Sequence, residues 1–253
     1  MFGGSAVIKL YGDERIDRLV SNGEMPIIQS ATVFSYSLDA LLLADFAYLP
    51  IKKGAILDLG TGNGVIPLLL SGKTEASLVG LEIQERLADM AERSVQLNEL
   101  EDKIQIVVGD LREAQTALGQ SSFDVVLSNP PYFKTPSKTE HNKNEHLTIA
   151  RHEIMCSLED VVKAAKRYVK PGGKFALVHR PERLVDIITQ FRAYKIEPKR
   201  MRLVYPKRKK AANTLLIEGT RDGSAGLQIM PPLYIYNDDN TYTKEASEII
   251  HGS

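Results

Sequence analysis

Residues 123–134 read FDVVLSNPPYFK, an apolar run broken at Ser128 by an amide, two prolines and two aromatic rings. Neither proline can donate a ladder hydrogen bond, so a strand must end here. Each proline also fixes its own φ and restrains the residue before it. The side-chain oxygen of Asn129 and the carbonyl of Pro130 are therefore stiff acceptors at a strand end. Tyr132 offers a flat face to a planar group, and Pro131 and Phe133 extend that wall. Such acceptors suit a planar N–H group whose lone pair is delocalised. Hydrogen bonds from the nitrogen pull it toward a tetrahedral shape and free the lone pair for attack on an electrophile. Positioning supplies much of the rate in such a step, and no perturbed general base is required. Asn129, Pro130 and Tyr132 are the candidate catalytic residues. Asn129 also reads as a turn residue at a strand end, and Tyr132 as a packing residue.

A second constellation lies upstream. LDLGTGNGVIPLLL places Gly60, Gly62 and Gly64 between a strand and a helix. Glycines there let backbone amides approach a ligand, and a helix N-terminus favours an anionic group. Asp58 adds a carboxylate beside the turn, Glu82 ends the next strand, and Asp110 ends the third. A nicotinamide dinucleotide would use the turn and Glu82, but the Gly-x-Gly-x-Gly spacing differs from the pyrophosphate fingerprint. A carboxylate beside the turn suits a cationic amino-acid end better than a diphosphate. Acids recurring at the carboxyl ends of successive strands mark a ligand crevice.

These residues need a sheet to hold them. AILDL (55–59), SLVGLEI (77–83), IQIVVGD (104–110) and FDVVLS (123–128) read as strands, and residues 84–100 as an amphipathic helix with Leu87, Met90, Ala91, Ser94 and Leu97 on one face. Residues 157–173 read as a helix from a serine cap to Pro171-Gly172-Gly173. Strand, helix and strand follow at 174–180, 181–195 and 198–206, with a last strand at 213–221. Residues 35–49 read as a helix packed on the core, and the tail from 226 is mixed, with a turn at Asn237–Asn240. Alternating strands and helices imply an α/β fold, a mostly parallel sheet with helices on both faces. The expected division is an N-terminal extension with a capping helix (1–50), the core (51–222) and a tail packed on it (223–253).

LDLGTGNG, GLEI, VVGD and SNPPY, in that order, resemble the S-adenosylmethionine-dependent methyltransferases over roughly residues 30 to 222. The resemblance implies a Rossmann-like class I sheet of seven strands with the last antiparallel. It implies S-adenosyl-L-methionine as cofactor. Asp58 and the Gly60–Gly64 turn would hold its methionine portion, Glu82 the ribose and Asp110 the adenine, with Asn63, Ile83, Leu111 and Asn129 alongside. The Asn-Pro-Pro-Tyr motif resembles enzymes that methylate planar nitrogens: adenine, the guanine exocyclic amine, and the glutamine amide of release factors.

More specifically, the chain resembles the bacterial tRNA(Val) adenine methyltransferase group, through FSYSLDALLLADFA, SNPPYF, ARHE (150–153) and the LIEG…PPLYIY tail. It implies transfer to an adenine exocyclic amine beside the anticodon, with Asp39 near the cofactor and Arg151 and His152 over the substrate mouth. ARHE reads equally as a salt-bridge cluster at a helix start. About fifty residues precede the first core strand, short of the helical domain usual in glutamine methyltransferases. Protein glutamine, rRNA guanine and a non-catalytic RNA-binding module remain the alternatives.

Lys+Arg and Asp+Glu are 32 each, so any nucleic-acid surface must be local. KIEPKRMRLVYPKRKK (195–210) is the candidate, with Lys207, Arg208, Lys209 and Lys210 as phosphate ligands. It also reads as a solvated basic loop between strands. One cysteine and no Cys/His metal spacing suggest a reducing cytoplasm. His141, His146 and His152 have no helical ligand spacing, so no metal is expected. No apolar run is long enough to span a bilayer.

Overall fold

The computed structural model describes residues 8–19, 24–33, 36–49, 52–131 and 156–252. The chain opens with an antiparallel hairpin, β1 (Glu14–Leu19) and β2 (Met25–Ser30). Helix α1 (Leu38–Phe46) follows and is buried on almost every side, as its LDALLLADF composition requires. Strand β3 (Ala55–Leu59) then starts a β/α alternation: α2 (Val65–Ser71), β4 (Ser77–Glu82), α3 (Glu85–Leu97), β5 (Ile104–Val108), α4 (Gln115–Leu118) and β6 (Phe123–Ser128). After it come α5 (Leu158–Tyr168), β7 (Val169–His179), α6 (Leu184–Ala193), β8 (Ile196–Tyr205) and β9 (Thr214–Arg221). The tail forms β10 (Gln228–Ile229), β11 (Leu233–Tyr234) and α7 (Lys244–His251).

The sheet runs β10-β8-β9-β7-β6-β3-β4-β5, with β11 also on β8. The expected seven strands are its core, and the two-residue strands β10 and β11 extend it to nine. Strand β9 runs antiparallel to both neighbours, as the resemblance implied. Leu57, Leu59, Val126 and Leu177 face α5 and α6 in one apolar cluster. Ile56, Leu78, Val125 and Val178 face α1 and α2 in the other. Alternation along each strand thus fills both faces, which is why these strands are apolar throughout.

The structure adds one element to the sequence reading and shortens another. The N-terminal segment carries a hairpin at 14–30 ahead of the expected helix. Helix α5 keeps its Ser157 cap, with Asp160 reciprocating, but closes at Tyr168. Pro171, Gly172 and Gly173 instead lie within the span of β7, where the pairing register with β6 shifts. Among the described residues no helix is long and apolar enough to cross a membrane.

One buried ion pair fixes α1 to the sheet. The Glu218 carboxylate, 1% exposed on β9, accepts from Arg200 Nε at 3.0 Å and from the Tyr48 amide at 3.0 Å. Arg200 also donates to the Phe46 carbonyl at the end of α1. Removing one partner leaves a buried charge uncompensated, which costs about 3–5 kcal/mol. Arg200→Ala, which strands the buried Glu218 carboxylate, is expected to lower unfolding stability by that amount in urea titrations. A loss under about 1 kcal/mol, the worth of a surface pair, would show that the pair carries little.

Candidate active site

The strand order reverses between β3 and β6. From β3 the chain steps outward to β4 and β5, then returns to β6 on the other side of β3. A crevice opens outside the carboxyl ends at such a switch point, and ligands bind there in open α/β sheets. The two constellations picked from the sequence flank it. Leu59 pairs with Ser128, so the glycine turn after β3 and Asn129 after β6 leave the sheet side by side. The Ser128 hydroxyl donates to the Leu59 carbonyl at 3.0 Å and ties the two strand ends together.

The turn is bent back over β4. The amides of Gly60 and Thr61 donate to the Leu81 carbonyl at 2.8 and 3.0 Å. Gly60 and Gly62 have φ of +73° and +58°, and a Cβ at either would meet no atom within 4 Å. Left-handed backbone beside open space is what a ligand cradle requires. Gly64 instead packs on α3, with a Cβ position 3.1 Å from that of Ala91.

Beneath the turn lies a set of polar atoms that burial should not tolerate. Both carboxylate oxygens of Asp58, the Thr61 hydroxyl and the Asn63 side-chain oxygen are buried without a hydrogen-bond partner. Burial pushes the Asp58 carboxyl up to about 7; the Thr61 hydroxyl offsets part of this, and the Glu82 charge adds to it. Unpaired buried polar groups are costly, and they concentrate where a ligand completes the set. Three acceptors and a hydroxyl fit the ammonium of an amino-acid end, so this structure can hold the methionine portion of S-adenosylmethionine. Thr61 was not singled out from the sequence; its place inside the glycine turn was the available signal.

The other acids are occupied from within. Glu82 accepts from the Gly62 amide at 2.9 Å and the Gln84 amide at 3.0 Å, so it braces the turn as well as facing the crevice. Each oxygen keeps a second lone pair for a ribose hydroxyl. Asp110 is clasped by Arg112, whose Nε lies 2.9 Å from both oxygens and whose amide donates at 2.8 Å. The guanidinium holds the Asp110 carboxyl below its usual range. An adenine amine would share this carboxylate with Arg112, a competitor the sequence did not disclose. Ile83 is 36% exposed beside Glu82 and Leu111 is half-buried beside Asp110, which leaves apolar surface at both positions. Tyr168 holds the Leu111 carbonyl at 3.1 Å.

Asn63 takes an anchoring position. Its Nδ2 donates to the Ile28 carbonyl on β2 at 3.0 Å, so the hairpin braces the glycine turn. Asp39 accepts from the Thr214 hydroxyl at 3.2 Å, which sets it at the start of β9. Thr214 directly precedes Leu215, the partner of His179 at the carboxyl end of β7. His179 is held near a pKa of about 4, chiefly by burial, and is neutral at physiological pH. Its place next to β6 was also not read from the sequence.

Asn129 is half-buried, Pro130 buried and Pro131 exposed. Tyr132, Phe133, Arg151 and His152 lie outside the described residues, as do His141 and His146. The basic segment is not one surface. Strand β8 separates Lys195 from Lys207–Lys210 by its whole length, and Arg200 and Arg202 bond Glu218 and Glu245. Arg208, Lys209 and Lys210 remain exposed at the carboxyl edge, and Lys207 donates to the Asp238 carbonyl at 3.1 Å.

Known proteins carry the same frame. A "predicted O-methyltransferase", protein Atu636 from Agrobacterium tumefaciens, superposes with a TM-score of 0.68 at 22% identity, over 85% of this chain and 96% of that one. Pyrococcus horikoshii TYW2, solved with MeSAdo, gives a TM-score of 0.57 at 11% identity, over 84% and 74%. In sequence, the tRNA1(Val) (adenine(37)-N6)-methyltransferase of Porphyromonas gingivalis is 32% identical over 165 residues, 64% of this chain and 64% of the relative. That of Shewanella loihica is 32% identical over 146 residues, 56% and 58%. The chain thus spans less than two thirds of the length of these relatives. The methyltransferase small domain model matches residues 24–191, from the hairpin that braces the glycine turn to the end of the helix behind β7. The chain therefore belongs to the methyltransferase small domain family.

Proposed function

We propose that the protein is an S-adenosylmethionine-dependent N-methyltransferase that modifies the exocyclic amine of adenine in tRNA, next to the anticodon of tRNA(Val). One observation carries the reading: a proline-stiffened amide at the end of β6 stands beside a glycine turn whose buried Asp58 lacks a partner. The first suits a planar nitrogen, the second the ammonium of the methyl donor. The relatives named for adenine-N6 methylation of tRNA support the choice of substrate.

S-adenosylmethionine, when bound, supplies an electrophilic methyl on a sulfonium with a good leaving group. The protein's own residues do the rest. Asp58, Thr61, Asn63 and the Gly60–Gly64 turn would hold the amino-acid end, Glu82 the ribose, and Asp110 with Ile83 and Leu111 the adenine side. The Asn129 oxygen and the Pro130 carbonyl accept from the target amine and turn its lone pair toward the methyl. His179, neutral and buried at the next strand, adds no charge to compete with that polarisation. A paired target base must leave its stack to reach these acceptors. Pro131, Tyr132 and Phe133 would line its pocket, with Arg151 and His152 over the mouth. Lys207, Arg208, Lys209 and Lys210 bind phosphates. The site of action is the cytoplasm, where tRNA is found.

A bacterial extract incubated with the enzyme and labelled donor tests the acceptor class. Label lost after RNase treatment and kept after protease treatment is expected. The reverse result would move the substrate to a protein glutamine, and label in guanine would move it to that base.

A further inference from the structure

The tail presents a row of aromatic rings that the cofactor site does not explain and that only Tyr236 shares with the core. Leu233 and Ile235 are 1% and 3% exposed and point into the apolar core. By alternation Tyr234 points the other way, while Tyr236 packs partly against the core and turns a face to Tyr242. Tyr234 packs on Tyr205 at 5.4 Å between ring centroids, and Tyr236 stacks on Tyr242 at 5.1 Å with an interplanar angle of 21°. His251 closes the row edge-on to Tyr242 at 5.8 Å. Arg208 lies over the Tyr234 ring at 5.6 Å, and Tyr242 is 40% exposed.

The row is joined to the basic turn. The Tyr236 amide donates to the Pro206 carbonyl at 2.9 Å, one residue before Lys207. The Lys207–Lys210 turn carries four cations, of which Lys207 donates to the Asp238 carbonyl at 3.1 Å, and the nearby Asp239 carboxylate is tied to Thr241 at 2.6 Å. Positive charge interleaved with flat rings is the chemistry that holds unpaired nucleotides: cations take phosphates and rings take base faces. The placement also fits. Tyr205 ends β8, three strands from β6 in the sheet, and Tyr234 pairs beside it. At ~4.8 Å per strand the row begins about 14–19 Å from Asn129 along the same carboxyl edge.

We propose that the Tyr205, Tyr234, Tyr236 and Tyr242 row, with Arg208, is a stacking platform for unpaired RNA bases a few nucleotides from the target base. This rests on the reading of the protein as an RNA methyltransferase. Tyr242, with one face on Tyr236 and the ring partly open, takes a base; Arg208, held by Tyr234, takes the adjoining phosphate.

Fluorescence anisotropy with labelled bacterial tRNA, and with a fully paired RNA duplex, tests the platform. Tyr242→Ala is expected to raise the tRNA Kd about tenfold, as one lost base–ring stack should. Tyr242→Phe should stay within about twofold. The paired duplex, which offers no free base face, should bind all three proteins alike. Wild-type protein cross-linked to 4-thiouridine tRNA gives a readout independent of how the variant folds, with adducts expected in residues 205–242. Unchanged tRNA affinity in Tyr242→Ala, or adducts only elsewhere, would overturn the platform while tRNA methylation stands. A wild-type protein that binds no RNA would overturn both.

Discussion

Asn129→Ala is expected to lower the rate of methyl transfer by about 10²–10³-fold and to leave cofactor affinity within about threefold. The magnitude is that of removing one preorganised hydrogen-bonding group from a buried reaction centre. The asymmetry follows from placement. Asn129 leaves β6 on one side of the switch point, and the glycine turn with its unpaired carboxylate leaves β3 on the other. Truncating the amide therefore takes an acceptor from the target amine and none from the methyl donor. Asn129→Asp keeps an acceptor at the same place and should recover part of the rate. Single-turnover kinetics separates the two effects, since a loss in binding alone disappears at saturating cofactor. An alanine variant with the wild-type rate would sink the amine-activation account.

Asp58→Asn is expected to produce opposite effects on stability and binding. In the wild-type protein without cofactor the carboxyl keeps its proton up to about pH 7, because burial disfavours the charge. The unfolded chain loses that proton near 3.8. With the folded value raised, the stability this group provides is full below about pH 4 and is lost as pH rises to about 7. The gap between 3.8 and about 7 corresponds to on the order of 4 kcal/mol as an upper bound. Asparagine has no such dependence. The variant should therefore melt above wild type at pH 8, and the difference should close toward pH 4. Its cofactor affinity should fall by about 10²-fold, the worth of a charged hydrogen bond in a buried site. In the wild type, affinity should weaken about tenfold per pH unit below 7, because the ammonium must displace the proton. Melting curves with and without cofactor at three pH values read all of this. A variant no more stable at pH 8, or one that binds cofactor as wild type does, would remove Asp58 from the site.

The sheet was legible because its strands are buried on both faces and carry Leu, Val and Ile in short runs bounded by glycine, acid or proline. The candidate site stood out in the sequence for a related reason. Glycines with positive φ and residues such as Asn129-Pro130-Pro131 have few other uses at a strand end. What escaped depends on partners far along the chain. The β1 strand ERIDRL has no apolar face of its own, and Ile16 is 45% exposed. Its hairpin stands because Ile28 packs with Leu87 and Met90 of α3 and because Glu14 pairs with Arg93 at 2.8 Å. Arg200 read as part of a basic stretch, and only the neighbouring strand shows that it is spent on Glu218. The Arg112 clasp on Asp110 is local, two residues apart, yet charge pattern alone does not say which carboxylate a guanidinium will choose.

The most direct measurement is transfer of labelled methyl from S-adenosylmethionine to total bacterial tRNA, followed by digestion to nucleosides and mass spectrometry. Label in N6-methyladenosine is the predicted result, and the Asn129→Ala enzyme should leave it near background. Label in another nucleoside, or label in protein with none in tRNA, would contradict the account of an adenine amine held by Asn129 and Pro130.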